Sequence, residues 1–498
     1  MNTNVSHISS RIIQLFSFRK YIICFGEVIA LGIVAALSSF YFTTHEAFEL
    51  TISLATAYLI PRLVFSYGKS RSLFGMWLLL IVGLALAIYT IVSIKSWTVD
   101  VEGSFEYPGL KSDDAVYYKW ALSHYDGRCP EPKVGFKGIS IITAFLWKLF
   151  GVSIVWPIAL NYMFIMLSIV MTGKLANRLF QDKFEDIDIK NVTVIAMVMV
   201  SLLGFLLSQS LRLQKEAACT LGIALVGYAL VGMSQELNVS KRTKHKDVAL
   251  FVLGCLILAF VRTSYAYFAA IGAIMMGLSN QRKEWKLGVV YCLISICITI
   301  LFSILFSYSF GQQYNTVDGG DPMAKAFKIS FEQQPYAAIV GDYFHYPAWK
   351  RLLLLPVTTG IQYIIPFPWL YERSEISVFT VLPRFRFMWY FIGGVSVFYY
   401  LYLSIVHHKQ SHLGMWAWWP LVIFFIIAYI TGGIVSRYIL PIQPLFVIVA
   451  LYVLIHFKTG KYRRSFILWI GVYIFFITAL LIVCYHIQSD YLTSIKAL

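Results

Sequence analysis

Leu73-Phe-Gly-Met-Trp-Leu-Leu-Leu-Ile-Val-Gly-Leu-Ala-Leu-Ala-Ile-Tyr-Thr-Ile-Val-Ser-Ile94 runs for 22 residues without a charge. As a helix it would be about 33 Å long, enough to cross the roughly 30 Å hydrocarbon layer of a bilayer. Lys69 and Arg71 precede it, and Lys95 and Trp97 follow it, as at the two edges of a membrane. Comparable apolar runs lie near 21–42, 51–67, 153–172, 191–209, 216–233, 248–262, 264–280, 287–309, 386–405, 414–432, 436–456 and 465–485. The stretch 352–370 is interrupted by Pro356, Gly360, Pro366 and Pro368, so it reads as a re-entrant or interfacial segment.

Composition agrees with that pattern. Only 13% of the 498 residues are charged and 59% are apolar, with a mean hydropathy of +0.70. Soluble domains carry about 25% charged residues, so a soluble enzyme, a disordered scaffold and a secreted disulfide scaffold are excluded. The expected fold is all-α: a polytopic membrane protein of about 13 transmembrane helices with two structured external loops. Five regions follow: a three-helix membrane segment (1–94), a first external loop (95–152), central membrane helices (153–309), a second external loop (310–385) and C-terminal membrane helices (386–498). Arg11, Arg19 and Lys20 precede the first run, which lacks a clear small-residue cleavage site and reads as a retained signal anchor.

The net charge of +16 is mainly topological. With the N-terminus in the cytoplasm, Lys69/Arg71, Lys174/Arg178/Lys183/Lys190, Lys241/Arg242/Lys244/Lys246, Arg282/Lys283/Lys286, Lys409 and Lys458/Lys461/Arg463/Arg464 all fall on one side, as membrane insertion favours. Nucleic acid is therefore not an expected partner; membrane lipids are. The seven cysteines show no zinc spacing and no disulfide framework. Asp186-Ile-Asp188 sits in a short cytoplasmic loop with no mononucleotide-binding fold around it, and Asp318-Gly-Gly-Asp321 is too short for a calcium loop. Nothing in the sequence requires a divalent metal or another cofactor.

The chemistry concentrates on the other side. Ser112 can cap a helix that opens with Asp113 and Asp114, whose ionised carboxylates the helix dipole favours. An ionised carboxylate in an external loop can take the proton of an acceptor hydroxyl. Asp113 is the first candidate and Asp114 the second. Gly138–Val152 follows as an amphipathic helix suited to the outer interface. Arg212, Lys215, Arg262 and Arg437 each stand at an outer helix end, where snorkelling to the interface is the alternative explanation for any one of them. Glu216 is spaced to pair with Arg212 at i, i+4. Tyr117, His345, Arg351 and Tyr438 are candidate acceptor or loop contacts.

These motifs resemble a family. The turn Asp113-Asp114-Ala-Val-Tyr117, the helix ending Lys148-Leu-Phe-Gly151, and the membrane helix after it resemble the first external loop of GT-C glycosyltransferases. Arg212-Leu-Gln-Lys215-Glu216 resembles a basic-acidic segment of bacterial members, and Arg437-Tyr-Ile-Leu-Pro441 with Pro444 resembles a signature near their C-terminus. The acidic loop here follows the third apolar run; in the protein mannosyltransferases it follows the first. The resemblance covers roughly 95–460. It implies a GT-C-like fold and transfer of a sugar from a polyprenyl-phosphate donor to a glycan, lipid or protein acceptor, on the periplasmic face of a bacterial inner membrane. It also implies a lipid-phosphate site at Arg212, Lys215, Arg262 and Arg437, since cations stabilise the charge that develops on a departing phosphate. A polysaccharide polymerase or ligase acting on lipid-diphosphate oligosaccharides would rely instead on Arg351 and His345. A transporter or lipid flippase would place charges near the bilayer midplane.

Overall fold

A computed structural model describes residues 3–67, 72–97, 99–101, 104–106, 113–128, 138–180, 189–234, 241–279, 285–310, 343–364, 386–406, 415–433, 436–458 and 463–496. Asp186, Asp188, Asp318, Asp321 and the side chain of Asp113 lie outside the described residues.

Among the described residues the regular structure is helical apart from a two-stranded antiparallel ribbon, β1 (Val99–Val101) with β2 (Ser104–Glu106), in which Asp100 faces Phe105. The helices before the first loop are α1 (Thr3–Tyr41), α2 (Thr44–Ser66) and α3 (Leu73–Trp97). Thr43 and Glu46 cap α2 reciprocally, each side chain meeting the other residue's backbone. The loop carries α4 (Asp113–Tyr125) and α5 (Gly138–Phe150). The centre is α6 (Val155–Phe180), α7 (Ile189–Ser201), α8 (Gly204–Ser210), α9 (Glu216–Ser234), α10 (Lys241–Ser279) and α11 (Trp285–Phe310). Beyond it come α12 (Ala348–Leu353), α13 (Leu355–Ile364), α14 (Arg386–Gly393), a π-helical stretch (Gly394–Tyr399), α15 (Tyr400–Val406), α16 (Met415–Thr431), a 3-10 turn (Ser436–Ile442), α17 (Gln443–Lys458) and α18 (Arg463–Lys496).

By length and composition alone, eight helical stretches among the described residues could cross a membrane: Tyr21–Tyr41, Thr44–Ser66, Leu73–Lys95, Val155–Phe180, His245–Gly277, Trp285–Leu305, Arg437–Ile455 and Arg464–Val483; of these, His245–Gly277 is interrupted at Arg262 and Arg437–Ile455 begins in a 3-10 turn. The chain is thus an all-α, multi-pass membrane protein by its long apolar helices. Of the remaining expected runs, 216–233 and 414–432 form shorter apolar helices, and 352–370 begins as two short helices, α12 and α13. The run 191–209 is broken between α7 and α8, just before Gly204, whose backbone freedom weakens a helix interior. The run 436–456 starts as a 3-10 turn, because Pro441 has no N–H to give; the α-helix begins only at Gln443, with Pro444 in its first turn.

The arrangement of α10 positions the site. It is broken at Arg262, whose backbone is extended (φ −156°, ψ 92°). Along the first arm, Phe251 meets Tyr291 with ring centroids 4.6 Å apart, and Phe260 meets Phe302 at 6.0 Å, so numbers in α10 and α11 rise together. Along the second arm, the Ser295 hydroxyl donates to the Ala266 carbonyl at 2.7 Å and Gly288 abuts Gly277, so numbers run in opposite senses. One straight helix can do both only if the two arms are antiparallel. Arg262 is therefore the tip of a helical hairpin, and the arms correspond to the apolar runs 248–262 and 264–280.

That tip marks one end of the bundle. The first residue of α5 is wedged against it, since a Cβ on Gly138 would collide with the Phe260 carbonyl. The opposite end holds the basic side chains of α6. Arg178 Nη1 and Nη2 each donate at 2.7 Å to the two carboxylate oxygens of Asp247, and Lys174 Nζ donates to the carbonyls of Val64 and Tyr67 at 2.6 and 2.9 Å. Between the ends, α17 is buried from Gln443 to Val453. By contrast α18 turns Leu468, Val472, Ile474, Phe475 and Phe476 outward, as suits a lipid-facing helix.

Candidate functional site

The site sits at the end of the bundle marked by the Arg262 tip. Its first wall is α4. Asp113 is the first residue of this helix. Asp114 is fully buried, with Oδ2 2.8 Å from the Arg212 Nε. Tyr117, one turn on, accepts a hydrogen bond from Lys215 Nζ at 2.8 Å, and that ammonium lies 5.5 Å from the Tyr117 ring centre. The i, i+3 spacing puts Asp114 and Tyr117 on one face. Ile139 and Leu213 pack around Tyr117.

The second wall is the bend 211–215 that joins α8 to α9. The expected Arg212–Glu216 pair does not form. Residues 211–215 are not helical, so the i, i+4 geometry is missing and Arg212 turns to Asp114 instead. Asn161 on α6 holds the bend open: its Nδ2 donates to the carbonyls of Arg212 at 2.6 Å and Gln214 at 2.9 Å. Glu216 opens α9 and is buried, as is Lys215 beside it.

The third wall is aromatic and cationic. Arg262 is 3% exposed, and its guanidinium carbon lies 3.7 Å from the Tyr438 ring centre and 4.6 Å from that of Tyr265. The Tyr265 hydroxyl donates to the Tyr438 carbonyl at 2.9 Å, tying the hairpin to the 3-10 turn. Arg437 lies 5.9 Å from the same Tyr438 ring, so this ring is shared by two guanidinium groups. A desolvated cation–π contact is worth about 2 kcal/mol. Glu216 lies within electrostatic range of Arg262.

Arg212, Lys215, Arg262 and Arg437 are thus gathered at one end through Asp114, Tyr117, Glu216 and Tyr438. Arg351 and His345 make none of the contacts described above. The Tyr343 hydroxyl donates to the Tyr429 carbonyl at 2.7 Å, Arg351 lies 5.2 Å from the Tyr429 ring centre, and His345 is exposed. Burial pushes the Tyr343 hydroxyl up to about 12, against the opposing charge of Arg351. Among the described residues no three His, Cys, Asp or Glu side chains gather as a metal site.

Three site residues, Asn161, Tyr265 and Gln214, had no assigned part in the sequence reading, and Glu216 was assigned a different one. Asn161 was legible as a lone polar residue inside an apolar run. Tyr265 was legible by its i+3 spacing from Arg262. Gln214 and the buried, unpaired state of Glu216 carried no local signal. Searches against family models, curated proteins and solved structures return no match to this chain.

Proposed function

We propose that the chain is a GT-C-like membrane glycosyltransferase that moves a sugar from a polyprenyl-phosphate carrier to a glycan, lipid or protein acceptor at the periplasmic face of a bacterial inner membrane. The observation that carries this reading is the gathering of Lys215 and Arg262, both buried, with Arg212 and Arg437 at one end of an apolar bundle. Against the carboxylates of Asp114 and Glu216 these four cations leave a positive excess, and like charges held together in a low dielectric favour an anion. A phosphate on a lipid anchor brings such an anion to a membrane boundary.

In this reaction the acceptor oxygen bonds to the anomeric carbon as the bond from that carbon to the phosphate oxygen breaks. The acceptor proton passes to Asp113, and the polyprenyl phosphate leaves with its charge held by Lys215, Arg262 and Arg437. Asp114 has a positioning role, because its carboxylate is already engaged with Arg212. The test is sugar transfer by the purified full-length protein in lipid nanodiscs, supplied with polyprenyl-phosphate sugars. Transfer abolished by Arg262→Ala and by Lys215→Ala supports the reading. Full transfer in both variants, with loss in Arg351→Ala or His345→Ala, overturns it in favour of a polymerase or ligase centred on the second loop.

A further inference from the structure

Glu216 is 2% exposed, and no donor among the described residues reaches either oxygen of its carboxylate. Two neighbouring amide oxygens share that condition: Gln214 Oε1 and Asn161 Oδ1, both on buried side chains. Asn161 is held by its own amide nitrogen, which donates to the carbonyls on either side of Leu213. All of these atoms are acceptors. A buried acceptor without a donor costs about 1–3 kcal/mol, and a charged one costs more. The Glu216 carboxylate, enclosed at the first residue of α9 and accepting no hydrogen bond among the described residues, points to a ligand that brings donors.

The charges around Glu216 decide which donors. Lys215 is the adjacent residue, and Arg262 is within charge range of the carboxylate. A metal ion or an ammonium group entering here would meet both cations. A neutral hydroxyl would not, and two hydroxyls on adjacent ring carbons match the two oxygens of one carboxylate.

We propose that Glu216 accepts a pair of neighbouring hydroxyls of the transferred sugar, and that this sugar is neutral, not an amino sugar. The proposal rests on the transferase reading above. Glu216 then sets sugar specificity, next to cations that hold the phosphate of the same molecule.

The experiment measures binding to the full-length protein in nanodiscs by calorimetry. The probes are bare polyprenyl phosphate, its glucosyl, galactosyl and mannosyl derivatives, and the preferred derivative with one hydroxyl replaced by an amine. The quantity read is the ratio of glycosyl-lipid affinity to bare-lipid affinity. Glu216→Gln keeps shape and loses charge, so this ratio is expected to fall about 10- to 100-fold, with Glu216→Asp falling less. An unchanged ratio, with both affinities weakened alike, means that Glu216 serves only as a counter-charge to Arg262 and overturns the proposal. Tighter binding of the amine derivative than of its hydroxyl parent overturns the neutral-sugar assignment. A wild-type protein that holds glycosyl lipids no tighter than the bare lipid removes the hydroxyl site and leaves the phosphate site standing. A wild-type protein that binds no polyprenyl phosphate removes the transferase reading itself, and this inference with it.

Discussion

Asp114 Oδ2 and Arg212 Nε lie 2.8 Å apart, and the two sides of this pair differ in burial: the Asp114 side chain is fully enclosed, whereas that of Arg212 is 29% exposed. The pair fastens α4 to the bend before α9. Loss of the cation is therefore the more damaging change, since it leaves an enclosed carboxylate without its ion partner. Loss of the carboxylate leaves a guanidinium that can reach solvent.

This asymmetry sets a stability prediction. Arg212→Ala is expected to cost about 3–5 kcal/mol, and Asp114→Asn distinctly less. The double variant should be more stable than the sum of the two single losses implies, because contacting residues are not additive. Thermal unfolding of the purified protein in detergent gives the three values. Additive losses would show that the pair is not coupled.

The acidic turn predicts a division of labour. General-base catalysis is worth about 10²–10⁴-fold in rate, so Asp113→Asn should lose roughly that much sugar transfer while its level in the membrane is unchanged. Asp114→Asn should lose less, and its loss should follow its stability. Full activity in Asp113→Asn rejects the base assignment, and loss confined to Asp114→Asn moves the role one residue along.

The Tyr438 ring predicts a substitution pattern. Its face meets Arg262 at 3.7 Å and Arg437 at 5.9 Å, while its backbone carbonyl accepts from the Tyr265 hydroxyl. Tyr438→Phe keeps the ring and should bind polyprenyl phosphate nearly as wild type. Tyr438→Leu removes the ring's attraction for cations, about 0.5–2 kcal/mol per contact, and should weaken that binding on the order of tenfold. Equal binding by Tyr438→Leu and wild type would mean that the stack plays no part in holding the phosphate site.

Sidedness has its own test. In a background without native cysteines, Ser104→Cys and Tyr314→Cys should react with a membrane-impermeant thiol reagent while the membrane that holds the protein is intact. Lys69→Cys and Lys458→Cys should react only after that membrane is lysed. The reverse pattern would invert the chain and place the cation cluster in the cytoplasm.

Much of this molecule is local information. The apolar runs from 73–94 outward were visible because a membrane helix must satisfy its backbone within itself and present apolar side chains along its whole length. The clustering of Lys and Arg on alternate connections was visible for a similar reason, since each charge responds to the nearest membrane edge. Even Arg262 was recognisable as a turn between two runs, because a charge between apolar stretches marks a boundary. The Arg212–Glu216 pair failed because spacing assumes a helix, and the clamp of Asn161 on the carbonyls of Arg212 and Gln214 keeps 211–215 out of one.

The sequence alone determined that the chain is a multi-helix membrane protein and which cations stand at helix ends, because hydropathy and charge act residue by residue. The tertiary structure alone decided that Arg212 turns to Asp114, that Arg262 and Arg437 share the ring of Tyr438, and that Glu216 is buried without a donor. Those relationships join the first loop to the bend before α9, and the α10 hairpin to the 3-10 turn of Ser436–Ile442. No local pattern encodes them, since they arise only when helices far apart in the chain pack at a common end.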